Sequence, residues 1–284
     1  IVIIGGGVVG LATAWELIKR GHQVQLLERN AEPGSATSFA NGGQLSYRYV
    51  APLADSGVPL QGIKWMGKAD SPLNMRLKMS FQQWRWLLQF LRACNSQTNK
   101  MNGDHILRLS LLSRQVMQSW LDEDNLADFH WRRSGKLIIH RRGYDFNKAT
   151  KGIDPQYQQA LNADACLQLE PALRHISPSL QGGIYSPGDE TADCHQFCLA
   201  LLDKLNASND FSLLTHCEVQ QLNKRGGRIS ALETNRGTIT GDDYVVAAGN
   251  GSGPLLGHLG VRVPLCALKG YSLTLPYPEK AGIA

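Results

Sequence analysis

The chain has 284 residues, 43% of them apolar, enough for a large core and more than one domain. No apolar run is long enough to span a membrane, no nucleic-acid recognition module is visible, and no signal peptide is read ahead of the first strand. The formal net charge is +5, and the six cysteines lack the spacing of a disulfide framework, which points to a reducing, cytoplasmic compartment.

Residues 1–4 are a continuous apolar run, the pattern of a strand buried on both faces. Gly5, Gly7 and Gly10 follow as G-x-G-x-x-G. The first glycine allows a tight turn, the second lets the backbone approach a pyrophosphate, and the third lets a helix pack close on the strand. Residues 8–20 read as that helix, with Leu11, Ala14, Trp15 and Ile18 at helical spacing and Gly21 as a left-handed cap. Residues 23–27 read as a second strand. Glu28 stands at its end, where a carboxylate can accept both hydroxyls of an adenosine ribose. An acid there disfavours a 2′-phosphate, so the expected ligand is of the NAD or FAD type.

A nicotinamide-binding fold would continue with a helix and a third parallel strand. Here the sequence ERNAEPGSATSFANGGQLS follows instead, long, polar and rich in small residues. Such a loop has little to bury and is expected to be held by something it wraps; Ser38, Asn41, Gly42 and Gly43 offer a hydroxyl, an amide and permissive backbone. The alternative is a flexible surface loop.

Residues 60–92 carry Lys64, Lys68, Arg76, Lys78, Arg85 and Arg92 against Asp70 alone, together with Trp65, Met66, Phe81, Trp84, Trp86 and Phe90. Exposed, this mixture suits an anionic membrane surface. The alternative is an ordinary amphipathic helix over 81–93 whose Trp84, Leu87, Leu88 and Leu91 form a core stripe. Asp104 is positioned to cap a further helix with Leu107, Leu111, Val116, Trp120 and Leu121 largely on one side. FHWRRSGKLIIHR predicts two strands turning at Ser134 and Gly135. A helix is predicted over 156–169, a short strand in LQGGIYSP, and a helix from Asp193 to about Leu205.

The last third predicts a small antiparallel meander broken at RGG and NRG, then the apolar strand 244–248 leading into Gly249, Gly251 and Gly253, and a closing strand in LKGYSLTLP. The expected fold class is therefore α/β: a Rossmann-like nucleotide-binding domain and a discontinuous α+β domain built on an antiparallel sheet. The boundaries read as 1–50 and 191–260 for the nucleotide-binding domain, 51–190 for the second domain with a helical insertion, and 261–284 for the start of a further segment of it.

IVIIGGGVVGLATAWEL, SATSFANGGQLS, APLADSGVPLQGIKWM, GDETADCHQF and LKGYSLTLP resemble the FAD-dependent D-amino-acid oxidase superfamily, most closely its bacterial D-amino-acid dehydrogenase branch of the small-subunit type. The resemblance implies that Gly5, Gly7 and Gly10, with the backbone of Val8 and Val9, cradle the FAD pyrophosphate. Glu28 would hold the ribose and Arg29 would lie beside the adenine. Ala36, Thr37 and Ser38 would follow the pyrophosphate and ribityl chain, and Asn41, Gly42 and Gly43 would approach the flavin. The Val219 backbone would pair with adenine, and Ala248 and Gly249 would pass close to the cofactor.

The implied reaction is oxidative deamination of a D-amino acid by hydride transfer from Cα, with electrons leaving to a quinone or another acceptor, and a peripheral place on the inner face of the inner membrane. Another amine-oxidising member (glycine, sarcosine or proline oxidoreductase) and an inactive FAD-binding fragment are the alternatives. Family members continue well past LKGYSLTLP, so the chain reads as truncated, with the substrate-carboxylate clamp in the part it lacks. Catalytic residues are accordingly left unassigned. Gln44, Ser46, Tyr47 and Tyr271 are weak pocket candidates. Cys194, His195 and Cys198 share a helix face without an evident fourth ligand, so packing outweighs metal binding.

Overall fold

A computed structural model describes residues 1–65 and 79–272. The chain divides into two compact units. One comprises Ile1–Asn41, Tyr49–Phe129 and Cys194–Gly270; the other comprises Gly42–Arg48 and His130–Asp193, with Tyr271 and Ser272. In chain order the elements are β1 (Val2–Ile4), α1 (Val8–Lys19), β2 (Val24–Leu27), β3 (Gln44–Leu45), α2 (Val58–Trp65), α3 (Phe81–Ala93), α4 (Ser96–Asp122), β4 (Lys136–His140), α5 (Gly143–Thr150), β5 (Gln159–Asn162), α6 (Ala163–Leu169), β6 (Gly182–Ser186), β7 (Glu190–Thr191), α7 (Cys194–Asn206), β8 (Phe211–Leu214), β9 (Val219–Arg225), β10 (Arg228–Thr234), β11 (Gly237–Ile239), β12 (Tyr244–Val246) and α8 (Ser252–Gly257). Short 3-10 segments lie at Pro171–Ser179 and Gly249–Gly251.

The first unit is built on a parallel sheet in the order β12-β1-β2-β8. Val2, Ile3, Ile4, Leu26 and Leu27 are buried because both faces of the sheet are covered, which is why these strands read as unbroken apolar runs. Helix α1 buries Leu11 and Ala14 and packs on α7, which buries Phe197, Cys198, Leu201 and Leu205. On the other side Val219, Leu222 and Leu232 of the β9–β10 ribbon join Val2, Ile4 and Leu27 in one cluster. The second unit holds an antiparallel sheet in the order β4-β6-β5 and the two-stranded pair of β3 with β7.

The α/β class, the Rossmann-like opening and the antiparallel second unit agree with the sequence reading. Several local expectations do not. Helix α4 begins at Ser96, not near Asp104, because the Asn95 side chain accepts the Thr98 N–H at 2.9 Å and caps the earlier start. Only one strand, β4, follows the turn at Gly135; Arg132 bridges to Thr191 instead of pairing back across that turn. Residues 156–169 are split, with strand β5 first and α6 after it, because Asn162 caps α6 through the Ala165 N–H at 2.9 Å. Trp84, Leu88 (56% exposed) and Leu91 face outward on α3, so they are not a core stripe; helical spacing defines an apolar face but not what covers it. Residues 268–272 form no strand; the rest of that expected strand, and Met66, Lys68, Asp70, Arg76 and Lys78 of the basic stretch, lie outside the described residues.

Candidate cofactor site

Gly5 has φ +107, a region open to glycine, and a Cβ there would sit 2.6 Å from the Ala247 oxygen. The turn after β1 can therefore lie against the end of β12 only with glycine at this position. The Gly5 N–H donates to the Leu27 oxygen at 2.8 Å, which ties the turn to β2 as well. A Cβ on Gly10 would run into the Gly5 carbonyl oxygen, so α1 reaches the turn only because position 10 has no side chain. Gly7 precedes the first helical residue, and a Cβ there would meet only Ser38 Oγ, at 3.4 Å. The front of the turn is thus open backbone.

Ser38 Oγ accepts the Val8 N–H at 3.0 Å and serves as a cap on the first turn of α1. Ser38 is buried, whereas Ala36, Thr37 and Val9 are exposed. The long polar loop that follows β2 is therefore anchored on α1, by a serine at its centre.

Glu28 is 7% exposed. Its Oε2 accepts the Gly6 N–H at 2.7 Å and its Oε1 accepts the Asn30 N–H at 2.8 Å. Its backbone oxygen accepts the Cys217 N–H at 2.9 Å, and the Asn30 oxygen accepts the His216 N–H at 3.1 Å. These bonds bring the lead-in to β9 alongside Glu28; Val219 follows, buried and opposite Thr234. Arg29 is exposed. Ala248 and Gly249 leave β12, whose end is tied to β1 by the Ala247 N–H on the Ile4 oxygen at 2.9 Å. The glycine turn, Ser38, Glu28, the Val219 lead-in and the 248–249 turn thus gather at the carboxyl edge of the parallel sheet, where α/β folds bind ligands.

Asn41 closes the first unit's opening segment, and Gly42 and Gly43 open a segment of the second. Gly43 has φ +59, its oxygen accepts the Ala192 N–H at 2.8 Å, and a Cβ there would lie 2.7 Å from the Ala192 oxygen. Among the weak pocket candidates, Gln44 is exposed on β3, Ser46 Oγ accepts Lys136 Nζ at 3.2 Å, and Tyr271 is exposed. Tyr47 is buried and donates to Glu190 Oε2 at 3.0 Å, and Trp131 Nε1 donates to the same oxygen at 2.9 Å. Sequence reasoning passed over Glu190 and Trp131. The signal available was the acid pair Asp189–Glu190 standing where a strand is paired. Cys198 is fully buried with its Cβ under Gly34, and His195 meets the Phe39 ring edge-on at 4.8 Å. Among the described residues no three His, Cys, Asp or Glu side chains are grouped as metal ligands.

The arrangement can hold an adenine dinucleotide. The first-turn N–H groups other than that of Val8, which Ser38 takes, and the helix dipole favour a pyrophosphate, the open face at Gly7 leaves room for it, and a buried carboxylate one strand away can accept ribose hydroxyls. The family model described as DAO, FAD dependent oxidoreductase, matches residues 1–284. The chain is 48% identical over 277 residues, 97% of its length, to a Pseudomonas aeruginosa protein named D-amino acid dehydrogenase 2. It is 39% identical over 284 residues, 98% of its length, to a Ralstonia nicotianae protein of the same name. It spans 66% and 67% of those two relatives, about two thirds of each. Among solved structures it resembles glycine oxidase from Geobacillus kaustophilus, with TM-score 0.63 and 22% identity, over 91% of this chain and 57% of that one.

Proposed function

Because the chain belongs to the DAO family of FAD-dependent oxidoreductases, we propose that the protein oxidises D-amino acids to 2-oxo acids and ammonia. The observation that carries the substrate class is the 48% identity to a protein named D-amino acid dehydrogenase 2 along 97% of the chain. Fold does not choose between substrates, since the glycine oxidase likeness, at 22% identity, is one of fold alone.

In this reading the backbone of Gly5, Gly7, Val8, Val9 and Gly10 holds the pyrophosphate and Glu28 the ribose. Arg29 and the Val219 backbone take the adenine. Ala36, Thr37 and Ser38 follow the ribityl side, and Asn41, Gly42, Gly43, Ala248 and Gly249 approach the ring. When bound, FAD supplies the acceptor for the hydride that leaves the substrate Cα. Loss of that hydride and of an amine proton gives an imino acid, which water converts to the 2-oxo acid with release of ammonia. The work of the chain is to bind, to orient Cα and to exclude water.

The electrons are proposed to pass to a quinone or another acceptor at an anionic membrane surface of the cytoplasmic face. Support comes from α3, where Phe81 (83% exposed), Trp84, Leu88 and Leu91 line one outward arc with Arg85 and Arg92 at its edge. No helix among the described residues is long and apolar enough to cross a membrane, so contact would be made at the surface. The test is a dye-reduction assay of the full-length protein under nitrogen. D-alanine should reduce dye and release ammonia in equal amount, and L-alanine should do neither. Ammonia release without dye reduction would point to another chemistry.

A further inference from the structure

Within the second unit, residues 43–48 are fastened at almost every position. The Gly43 oxygen accepts the Ala192 N–H, Gln44 and Leu45 pair with Thr191 and Glu190, and Ser46 Oγ accepts Lys136 Nζ. Tyr47 donates to Glu190, and the Arg48 guanidinium lies over the Tyr157 ring, 3.2 Å from its centroid. Glu190 and Tyr47 are the buried members of this set, 4% and 5% exposed. One of its oxygens, Oε2, accepts from both the Tyr47 hydroxyl at 3.0 Å and the Trp131 indole at 2.9 Å. A buried carboxylate with its acceptor capacity used this way fixes the groups that donate to it, because withdrawing it takes one acceptor from a buried hydroxyl and a half-buried indole at once.

We propose that Glu190 is a positioning residue for the flavin. Through Tyr47 and Trp131 it locks the β3–β7 pair, and with it the turn at Gly42 and Gly43, left-handed at Gly43. The inference rests on the reading in which that turn approaches the flavin ring. Glu190 itself touches neither cofactor nor substrate in this account. It acts through the backbone, which has little freedom at Gly43, where a left-handed φ coincides with a close approach to the Ala192 oxygen.

The test uses the full-length protein as apoprotein and FAD-loaded, with Glu190→Leu, Glu190→Gln and Tyr47→Phe. The readouts are the FAD dissociation constant, the visible circular dichroism of bound flavin, and the cooperativity of thermal unfolding of the apoprotein. Glu190→Leu removes the acceptor and should weaken FAD binding by about tenfold with an altered flavin dichroism; Tyr47→Phe removes one donor and should weaken it by about threefold, with the dichroism shifted the same way. Glu190→Gln keeps an oxygen able to accept both bonds and should stay within about twofold of the parent. Wild-type affinity and dichroism in both Glu190→Leu and Tyr47→Phe would overturn the proposal; if Glu190→Leu does not unfold cooperatively, Tyr47→Phe alone decides. A parent protein that binds no FAD, or one whose affinity ignores Glu28→Ala, would instead bring down the site reading, and this proposal with it.

Discussion

Glu28 accepts two backbone N–H groups in addition to any role toward a ribose, so its loss acts twice. Glu28→Ala leaves the Gly6 and Asn30 donors unpaired and should lower apoprotein stability by about 1–3 kcal/mol; the loss of charge-assisted bonds to FAD adds a further cost in affinity on the order of 1.5–3 kcal/mol. Urea unfolding and FAD titration read the two separately, and an unchanged urea midpoint would contradict the first. Gly10→Ala places a methyl on the Gly5 carbonyl and should cost about 1–3 kcal/mol by forcing α1 away from the turn. Burial raises the Cys166 thiol above its ordinary 9.0. Burial also raises Cys94, with the Asp55 charge adding and a backbone hydrogen bond at Asp55 opposing. A raised thiol favours folding below about 9, and that contribution is lost as pH climbs through the raised value. Stability should therefore fall above pH 9 less steeply in Cys166→Ala than in the parent. These residue-scale features were partly legible: the glycines and Glu28 are local signals, whereas the partners Ser38 gives Val8 and Glu28 gives Gly6 are not.

At the scale of elements, the end of α4 is held to α1 by exchanged indole bonds. Trp120 Nε1 donates to Glu16 Oε1 at 2.8 Å, and Trp15 Nε1 and Lys19 Nζ donate to Asp124 Oδ2 at 2.8 and 2.7 Å. Asp124→Ala removes two of these and should cost about 1–2 kcal/mol in thermal unfolding. Helix α3 behaves oppositely, since its outward side chains contribute little to the fold. Trp84→Gln and Leu88→Gln should leave stability within about 0.5 kcal/mol while reducing co-sedimentation with anionic vesicles, and Arg85→Gln and Arg92→Gln should each cost about 1 kcal/mol of that binding. Equal co-sedimentation of parent and variants would make α3 a plain surface helix. Strand β8 was not legible: FSLL is short and broken by Ser212, and it becomes a strand because β2 offers it a parallel edge, Val24 opposite Phe211. The turn at Gly135 was legible, with φ +69, but its preceding residues find Thr191, far along the chain, and no local pattern encodes that choice.

At the scale of the whole molecule, the opening of the first unit was readable because first strand, turn, helix and second strand follow one another immediately, whereas β8, Val219 and Ala248 of the same unit come from far along the chain. In the second unit the antiparallel sheet was readable but its buried polar pairing was not, since Tyr47 meets Glu190 across 143 positions and Trp131 joins them from a third segment. In the proposed reaction FAD is held by the protein and is reduced by a D-amino acid. The most direct measurement is the visible absorption of the flavin in the FAD-loaded full-length protein under nitrogen. Addition of D-alanine should bleach it, and sarcosine, glycine and L-proline should leave it unchanged. Bleaching by one of those three with none by D-alanine would contradict the account.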